Sequence, residues 1–502
     1  MQANTFSHDD YYRALTSRDT RFDGVFFTGV STTGIYCRPI CGVKTPRLSS
    51  CTFYTSAASA EAAGFRPCLR CRPELAPYAL QQNLAHAIWQ KIAAGVLNEQ
   101  SVEELAQHIG LSSRQLRRVL IQEFGVGPIE IAQTQRLLFA KKLLQETTMP
   151  MSALAFAAGF GSVRRFNALF EERYKLTPIS IRKNKTSSVK LSSIHTEEGI
   201  CLRLSYRPPY AWKACLDYLH GRAMPSLEMV DLHTESYQRA VHIAGYSGWF
   251  QVQHADQPAQ LVVRISHHLS PVLMPVLAQI RAQFDVEANP AVIASHLNQH
   301  ALFAAQIQKT PGLRVPGSFS LFELAIRAVL GQQVSVAGAT TISGRLVRTF
   351  GTPCVTPWPE IDYQFPTPDT LARIPITDIA KLGMPQTRAA TVQHIATFAA
   401  AGELEKLIGA PLEHVLKTLK SLPGIGEWTA QYIAMRGFRF PNAFPAGDLG
   451  LQKAVSNNGN NNHHDKPRCT EKQLLEQSLA WSPWRSYAAL LLWQSLKTER
   501  DQ

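Results

Sequence analysis

Residues 422–448 read LPGIGEWTAQYIAMRGFRFPNAFPAGD, and this stretch decides how the second half of the chain folds. Pro423 should end a short helix, because proline donates no N–H and its ring clashes with the preceding turn. Gly424 and Gly426 then make a hairpin. Its backbone can approach a phosphate closely, since glycine has no side chain in the way. A second helix follows, and a lone aspartate, Asp448, closes the stretch. Together these features form a grip for a nucleic-acid backbone with a carboxylate nearby.

The chain around this stretch has 502 residues, too many for one core. Composition is ordinary for a soluble globular protein. There is no run of 18 or more apolar residues and no apolar N-terminal signal, so a cytoplasmic protein without a membrane partner is expected. The net charge is +13, and residues 1–190, with 24 Lys and Arg against 14 Asp and Glu, carry +10 of it. A basic front half suits an acidic polymer, most simply double-stranded DNA, although such a surplus would also serve solubility alone.

Nine cysteines, an odd number, argue against a disulfide framework. Four of them form two close pairs, Cys37 with Cys41 and Cys68 with Cys71, separated by 26 residues. Two such pairs can supply the four thiolates of a tetrahedral zinc site. Cys51 lies between them and reads as a small core residue. The segments TTGIYCRPICG (32–42) and AAGFRPCLRCRPE (62–74) resemble the Ada-type methyl-phosphotriester sensor over about residues 5–78. The resemblance implies one zinc held by Cys37, Cys41, Cys68 and Cys71. It also implies that Cys37 is the nucleophile that takes a methyl group irreversibly from a methylated DNA phosphate. Four thiolates and a divalent zinc sum to a charge of about −2, and methylating one leaves about −1, so affinity for DNA should rise on methylation. Arg38, Lys44, Arg47, Arg66, Arg70 and Arg72 crowd these motifs and suit a phosphate ligand.

Residues 79–183 read as helical and carry an internal repeat. LAQHIGLSSRQLRRVLIQEFGVGP starts at Leu105 and LAFAAGFGSVRRFNALFEERYKLTP at Leu154. Gly110 matches Gly159 at an offset of 49, and Pro128 matches Pro178 at 50. Each copy holds an apolar helix, a turn glycine and a second helix rich in basic residues. The pair resembles the two helix-turn-helix units of AraC-type regulators. That implies recognition helices near 112–123 and 162–173, with Arg114, Gln115, Arg118, Arg164 and Asn167 toward DNA.

Residues 184–198 are polar and serine-rich, as expected of a linker. Alternating apolar patterns then restart, and after about residue 300 the pattern turns helical. Five motifs, YRPPYAW (206–212), VLGQQVSVA (329–337), LPGIGEWTAQY (422–432), FPAGDLGLQKA (444–454) and WSPWRSYAALLLW (481–493), resemble the AlkA-type 3-methyladenine DNA glycosylases. The expected architecture is multidomain α+β. It comprises a small zinc-bound α/β domain (1–78), an all-α double helix-turn-helix (79–183), the linker, a small mixed α/β domain (199–300) and an all-α helix-hairpin-helix bundle (301–502).

The chemistry of the second half follows from its substrate. An alkylated base carries positive charge and leaves readily, so no strong general acid is needed. One carboxylate can stabilise the sugar cation and help orient water. The resemblance gives that role to Asp448. It lines the base pocket with Tyr218, Trp428, Tyr432 and Trp493, whose faces suit a cationic base. It places Gln333 where a wedge fills the gap left by a flipped base. AlkA-type proteins carry an apolar residue there, so Gln333 is a departure. Arg485 and Tyr487 would support the fold nearby. Trp428 cannot form a Schiff base, which implies base removal without strand cleavage. After residue 350 only Cys354 and Cys469 remain, too few for an iron–sulfur cluster. The hairpin carbonyls are expected to hold a monovalent cation that bridges to phosphate.

No Pro-Cys-His-Arg motif follows, so no guanine-repair activity is expected. Residues 456–467, SNNGNNNHHDKP, read as a polar insertion. The leading reading is a monomeric, bifunctional alkylation-damage protein: a sensor and activator in front, with RNA polymerase as partner, and a glycosylase behind. Two rivals stay open. In one, the second half is a non-catalytic DNA-binding scaffold. In the other, the front half only targets an active glycosylase.

Overall fold

The computed structural model describes residues 6–77, 84–183, 199–255, 259–457 and 469–498. The expected linker lies outside these residues, as does the polar insertion apart from Ser456 and Asn457. The chain forms two compact units, one of residues 1–207 and 243–278, the other of residues 208–242 and 279–502. Among the described residues no helix is long and apolar enough to cross a membrane.

In the first unit a short sheet runs in the order Cys51–Tyr54, Phe27–Val30, Ile35–Cys37, Arg66–Pro67. The first three strands are antiparallel. The last runs parallel to Ile35–Cys37 and pairs Tyr36 with Pro67. That register sets Cys37 and Cys68, the next residue on each strand, side by side.

Among the described residues seven α-helices follow, from Leu84–Ala93 to Pro178–Lys183. Each repeat turns where expected: Gly110 and Gly159 both adopt positive φ, and Ser112 and Ser162 cap the helices Ser113–Phe124 and Val163–Tyr174. Between the repeats lies a central helix, Pro128–Glu146, with proline in its first turn, where the missing N–H costs nothing. Its Leu138 joins Phe27, Tyr36, Ala57, Ala60 and Ala76 in one apolar cluster. Polar contacts reinforce this packing. Lys141 pairs with Glu74 at 2.5 Å, and Glu146 takes Arg72 at 2.6 Å and Lys142 at 3.0 Å. Glu146 also accepts the backbone N–H of Arg203 at 2.9 Å. Arg203 lies in the strand Ile200–Ser205, the first of three antiparallel strands ordered Ile200–Ser205, Gln260–Ile265, Tyr246–Ala255.

The second unit holds the helix Trp212–His220, the antiparallel strands Glu228–Asp231 and Ser236–Ile243, and the helical bundle. Residues 199–300, expected as one domain, therefore contribute to both units. Ile326, Val329, Leu346, Val392, Ile395, Val415, Leu419 and Ile433 are part of the bundle core. The helix Leu412–Lys420 stops three residues before Pro423, because a residue preceding proline avoids helical angles. Gly424 follows with φ +86°, and a Cβ there would lie 1.9 Å from Thr391 Oγ1. Gly426 then caps the helix Glu427–Arg436. The helix–hairpin–helix expected from residues 422–448 is thus present.

Candidate active sites

The sheet register builds the cysteine site. The turns after Cys37 and Cys68 carry Cys41 and Cys71, and all four sulfur atoms lie within 4.8 Å of one another. Thiolates about 2.3 Å from a tetrahedral zinc sit roughly 3.8 Å apart, so the cluster is close to the required shape. Hydrogen bonds among the thiols hold the Cys68 and Cys41 thiols below their ordinary value and push the Cys37 and Cys71 thiols above it, so the four crowded sulfurs share their protons. The Arg38 backbone N–H donates to Cys71 Sγ at 3.4 Å. Beside Cys37 lies a cavity of about 20 Å³, lined also by Leu15, Thr28, Val30, Cys41 and Val43.

Two of the cations expected to meet phosphate are committed elsewhere. The buried Arg38 guanidinium donates to Asp23 Oδ1 at 2.8 Å and to the Cys71 carbonyl at 3.1 Å. Arg72 pairs with Glu74 and Glu146. Buried carboxylates claim both, because an unpaired charge in the interior is far costlier than one in water. Lys44, Arg47 and Arg70 are exposed and Arg66 is half-buried.

On the recognition helices Arg114, Arg118 and Arg164 are exposed and Asn167 is half-buried. Gln115 is exposed but already engaged: its Oε1 accepts from the Ser112 backbone N–H at 2.9 Å and closes a capping box.

In the second unit the residues expected around a base converge. Asp448 is half-buried just before the helix Leu449–Asn457. Its Oδ2 accepts the Trp428 indole N–H at 3.0 Å. Its Oδ1 accepts the Trp493 indole N–H and the Leu451 backbone N–H, each at 3.0 Å. Asp448 therefore caps a helix and is also clamped by two indoles. The three donors fix the carboxylate orientation.

Trp428 stacks on Tyr432, with ring centres 5.1 Å apart and planes 10° from parallel. Tyr432 Oη lies 3.4 Å from Tyr218 Oη and accepts from Arg436 Nη1 at 2.7 Å. Burial pushes the Tyr432 phenol up, but Arg436, Arg222 and its hydrogen bonds outweigh that and bring it to about 7. Arg222 covers one face of Tyr218 at 3.9 Å. Arg485 donates to the Asn442 carbonyl at 2.9 Å, and Tyr487 donates to Asp285 at 2.8 Å. Arg485 thus holds the backbone at Asn442, and Tyr487 ties its helix to the Asp285 side chain.

Gln333 is exposed, with φ +55°. Its neighbour Gln332, which sequence reasoning passed over, turns inward. Gln332 Nε2 donates to the Gly424 carbonyl and to Thr429 Oγ1, both at 3.0 Å. A second glutamine beside the residue expected to act as a wedge was the available signal, but its partner lies 92 residues away.

Four family models match the chain in succession: the metal binding domain of Ada (10–74), a helix-turn-helix domain (105–184), the AlkA N-terminal domain (201–320) and the HhH-GPD superfamily of base excision DNA repair proteins (326–478). The chain is 34% identical over 503 residues to a Mycobacterium tuberculosis protein described as a probable bifunctional transcriptional activator/DNA repair enzyme AlkA, covering 99% of this chain and 98% of that one. It is 34% identical over 299 residues to DNA-3-methyladenine glycosylase 2 of Escherichia coli, covering 60% of this chain and 99% of that one. Among solved structures, the 3-methyladenine DNA-glycosylase from Archaeoglobus fulgidus aligns with a TM-score of 0.50 at 20% identity, over 58% of this chain and 96% of that one, which shows the fold.

Proposed function

This chain belongs to the family of bifunctional transcriptional activator/DNA repair enzymes, and we propose that it excises alkylated bases of the 3-methyladenine and 7-methylguanine type while its front half senses methyl phosphotriesters and activates transcription. The glycosylase reading is carried by one observation: the Asp448 carboxylate held between two indole N–H groups at 3.0 Å.

The residues suit an alkylated base. Gly424 and Gly426 bring hairpin backbone to a DNA phosphate, and a monovalent cation on the hairpin carbonyls would strengthen that contact. The flipped cationic base stacks on the face of Trp428 or Tyr432. The N-glycosidic bond breaks, its electron pair leaves with the base, and the base becomes neutral. Asp448 stabilises the sugar cation, and water adds to that carbon while giving a proton to the carboxylate. The products are a free base and an abasic site. Trp428 offers no amine for a Schiff base, which supports hydrolysis without strand cleavage.

In the front half Cys37, Cys41, Cys68 and Cys71 fit zinc, which when bound keeps the sulfurs deprotonated at neutral pH. Cys37 is the proposed methyl acceptor, for two reasons. The Arg38 N–H draws electron density from Cys71 rather than from Cys37, and the cavity beside Cys37 has room for about one small group. The Cys37 sulfur attacks the methyl carbon. The methyl C–O bond breaks, and its electron pair stays on oxygen to restore a phosphodiester anion. Lys44, Arg47, Arg66 and Arg70 are the cations proposed to receive that phosphate. Arg114, Arg118, Arg164 and Asn167 are the proposed base-reading set, with Gln115 limited to the free NH₂ of its amide. We further propose that the protein acts as a cytoplasmic monomer and meets RNA polymerase at the promoter.

Release of 3-methyladenine from methylated duplex DNA tests the glycosylase. Asp448→Asn should lower it by roughly 100-fold or more. An unchanged rate would remove Asp448 from the chemistry, and no release by the wild type would leave the scaffold reading. Mass spectrometry after incubation with methylated DNA should show one added methyl group, absent in Cys37→Ala.

A further inference from the structure

Outside the acid and its aromatic partners, one set of contacts joins two parts of the glycosylase unit far apart in sequence. The turn 331–335 connects the helices Leu321–Leu330 and Val336–Phe350 and presents Gln333. Gln333 has φ +55°, in a left-handed region that side chains rarely enter. Such a conformation persists only when its surroundings fix it, and Gln332 supplies that fixing. The Gln332 amide bridges the Gly424 carbonyl and Thr429 Oγ1, each at 3.0 Å. Arg388 Nη2 donates to the Gln332 carbonyl at 2.5 Å. Thr429 is buried in the first turn of the helix that Gly426 caps. The same hairpin is locked from behind, where Gly424 rests on Thr391 so closely that no Cβ fits. Thr391 and Arg388 sit on one helix, Gln386–Ala400. One helix therefore backs both the hairpin and the turn, and the Gln332 side chain spans the gap between them.

We infer that Gln332 is a positioning residue that fixes the register between the phosphate grip at the hairpin and the wedge at Gln333. A hairpin seated on the DNA backbone then carries the Gln333 side chain to a set depth in the base stack. Without the amide bridge the grip still forms, but the wedge is no longer held at that depth. The inference rests on the glycosylase reading above and adds a residue to it that touches neither the base nor Asp448.

The consequence is specific to base flipping. Duplex DNA needs a wedge; single-stranded DNA, whose bases are already unpaired, does not. Single-turnover base release should therefore be compared on methylated duplex and methylated single-stranded DNA for the wild type, Gln332→Ala and Gln332→Glu. Glutamate keeps the shape but places oxygen against the Gly424 carbonyl. Both variants are expected to lose at least about tenfold on duplex and to stay within about twofold of wild type on the single strand, with duplex affinity within about twofold. Fluorescence of 2-aminopurine opposite the lesion, which reports disturbed stacking, should fall in parallel. Gln333→Ala should show the same split, and adding Gln332→Ala to it should cost little more. Equal losses on both substrates, or no loss on duplex, would overturn the inference. If Gln332→Ala lowers the melting temperature, Gln332→Glu carries the comparison. A wild type that releases no base from either substrate would instead sink the glycosylase reading itself.

Discussion

At the residue scale the decisive atom group is the Asp448 carboxylate. Asp448 serves two purposes at once. It caps the helix Leu449–Asn457 through the Leu451 N–H, and it accepts the N–H groups of two indoles. The indoles add direction, because each N–H bond fixes where the remaining lone pairs point. Trp493→Phe keeps the ring and removes one donor. A hydrogen bond to a charged group contributes roughly 1.5–3 kcal/mol, so single-turnover base release should fall by about ten- to a hundredfold while affinity for undamaged duplex is kept. A variant with the wild-type rate would show that the Trp493 indole does not orient the acid. Sequence alone marked Asp448 and both tryptophans, since all three stand in motifs with strong resemblance. It did not reveal that the indole nitrogens meet the carboxylate, because those contacts span 20 and 45 residues and depend on how the last helix returns.

At the scale of elements, helices and hairpins were legible where local chemistry fixes them. The glycines of the hairpin, the turn glycines of the repeat and the serine caps all declare themselves in the chain. Buried charge was not legible. Arg38 and Arg72 looked like phosphate ligands beside the cysteines, yet Asp23 claims one and Glu146, 74 residues from Arg72, helps claim the other. Glu61 is a third case. It lies on the helix Ala57–Ala62 and accepts Tyr36 Oη and Thr134 Oγ1, both at 3.0 Å, so it joins that helix to a strand and to the central helix. Burial raises its carboxyl from 4.5 to about 7. The folded form thus keeps a proton that the unfolded chain gives up above pH 4.5. Its contribution is full below pH 4.5 and is lost as pH rises through about 7, a change of roughly 3 kcal/mol. Amide exchange in the central helix, corrected for intrinsic rates, is the suitable measure, since a chain of two compact units need not unfold in one step. Wild-type protection should decline across that window and Glu61→Gln should flatten the decline. A flat wild-type profile would mean that Glu61 ionises in place without penalty.

At the scale of the molecule the two candidate sites lie in different compact units. All four sulfur ligands lie in residues 1–207, and Asp448, Trp428 and Trp493 lie in residues 279–502. The order of parts was readable from motifs, and residues 199–300, expected as one domain, contribute strands to both compact units. This separation makes metal removal informative. A structural zinc site contributes on the order of 10 kcal/mol to the fold that holds it. Without the ion, the four clustered thiols must either protonate or repel one another. Chelation of zinc from the full chain should therefore abolish methyl uptake at Cys37 and expose the amides of the strand Ile35–Cys37 to exchange. Base release from methylated single-stranded DNA, which needs only the second unit, should stay within about twofold of the zinc-loaded value. Restoring zinc should recover methyl uptake in a sample whose Cys37 has not yet been methylated. If base release instead fell in step with the zinc lost, the pocket around Asp448 would depend on the integrity of the cysteine site, and the two activities could not be treated as separable.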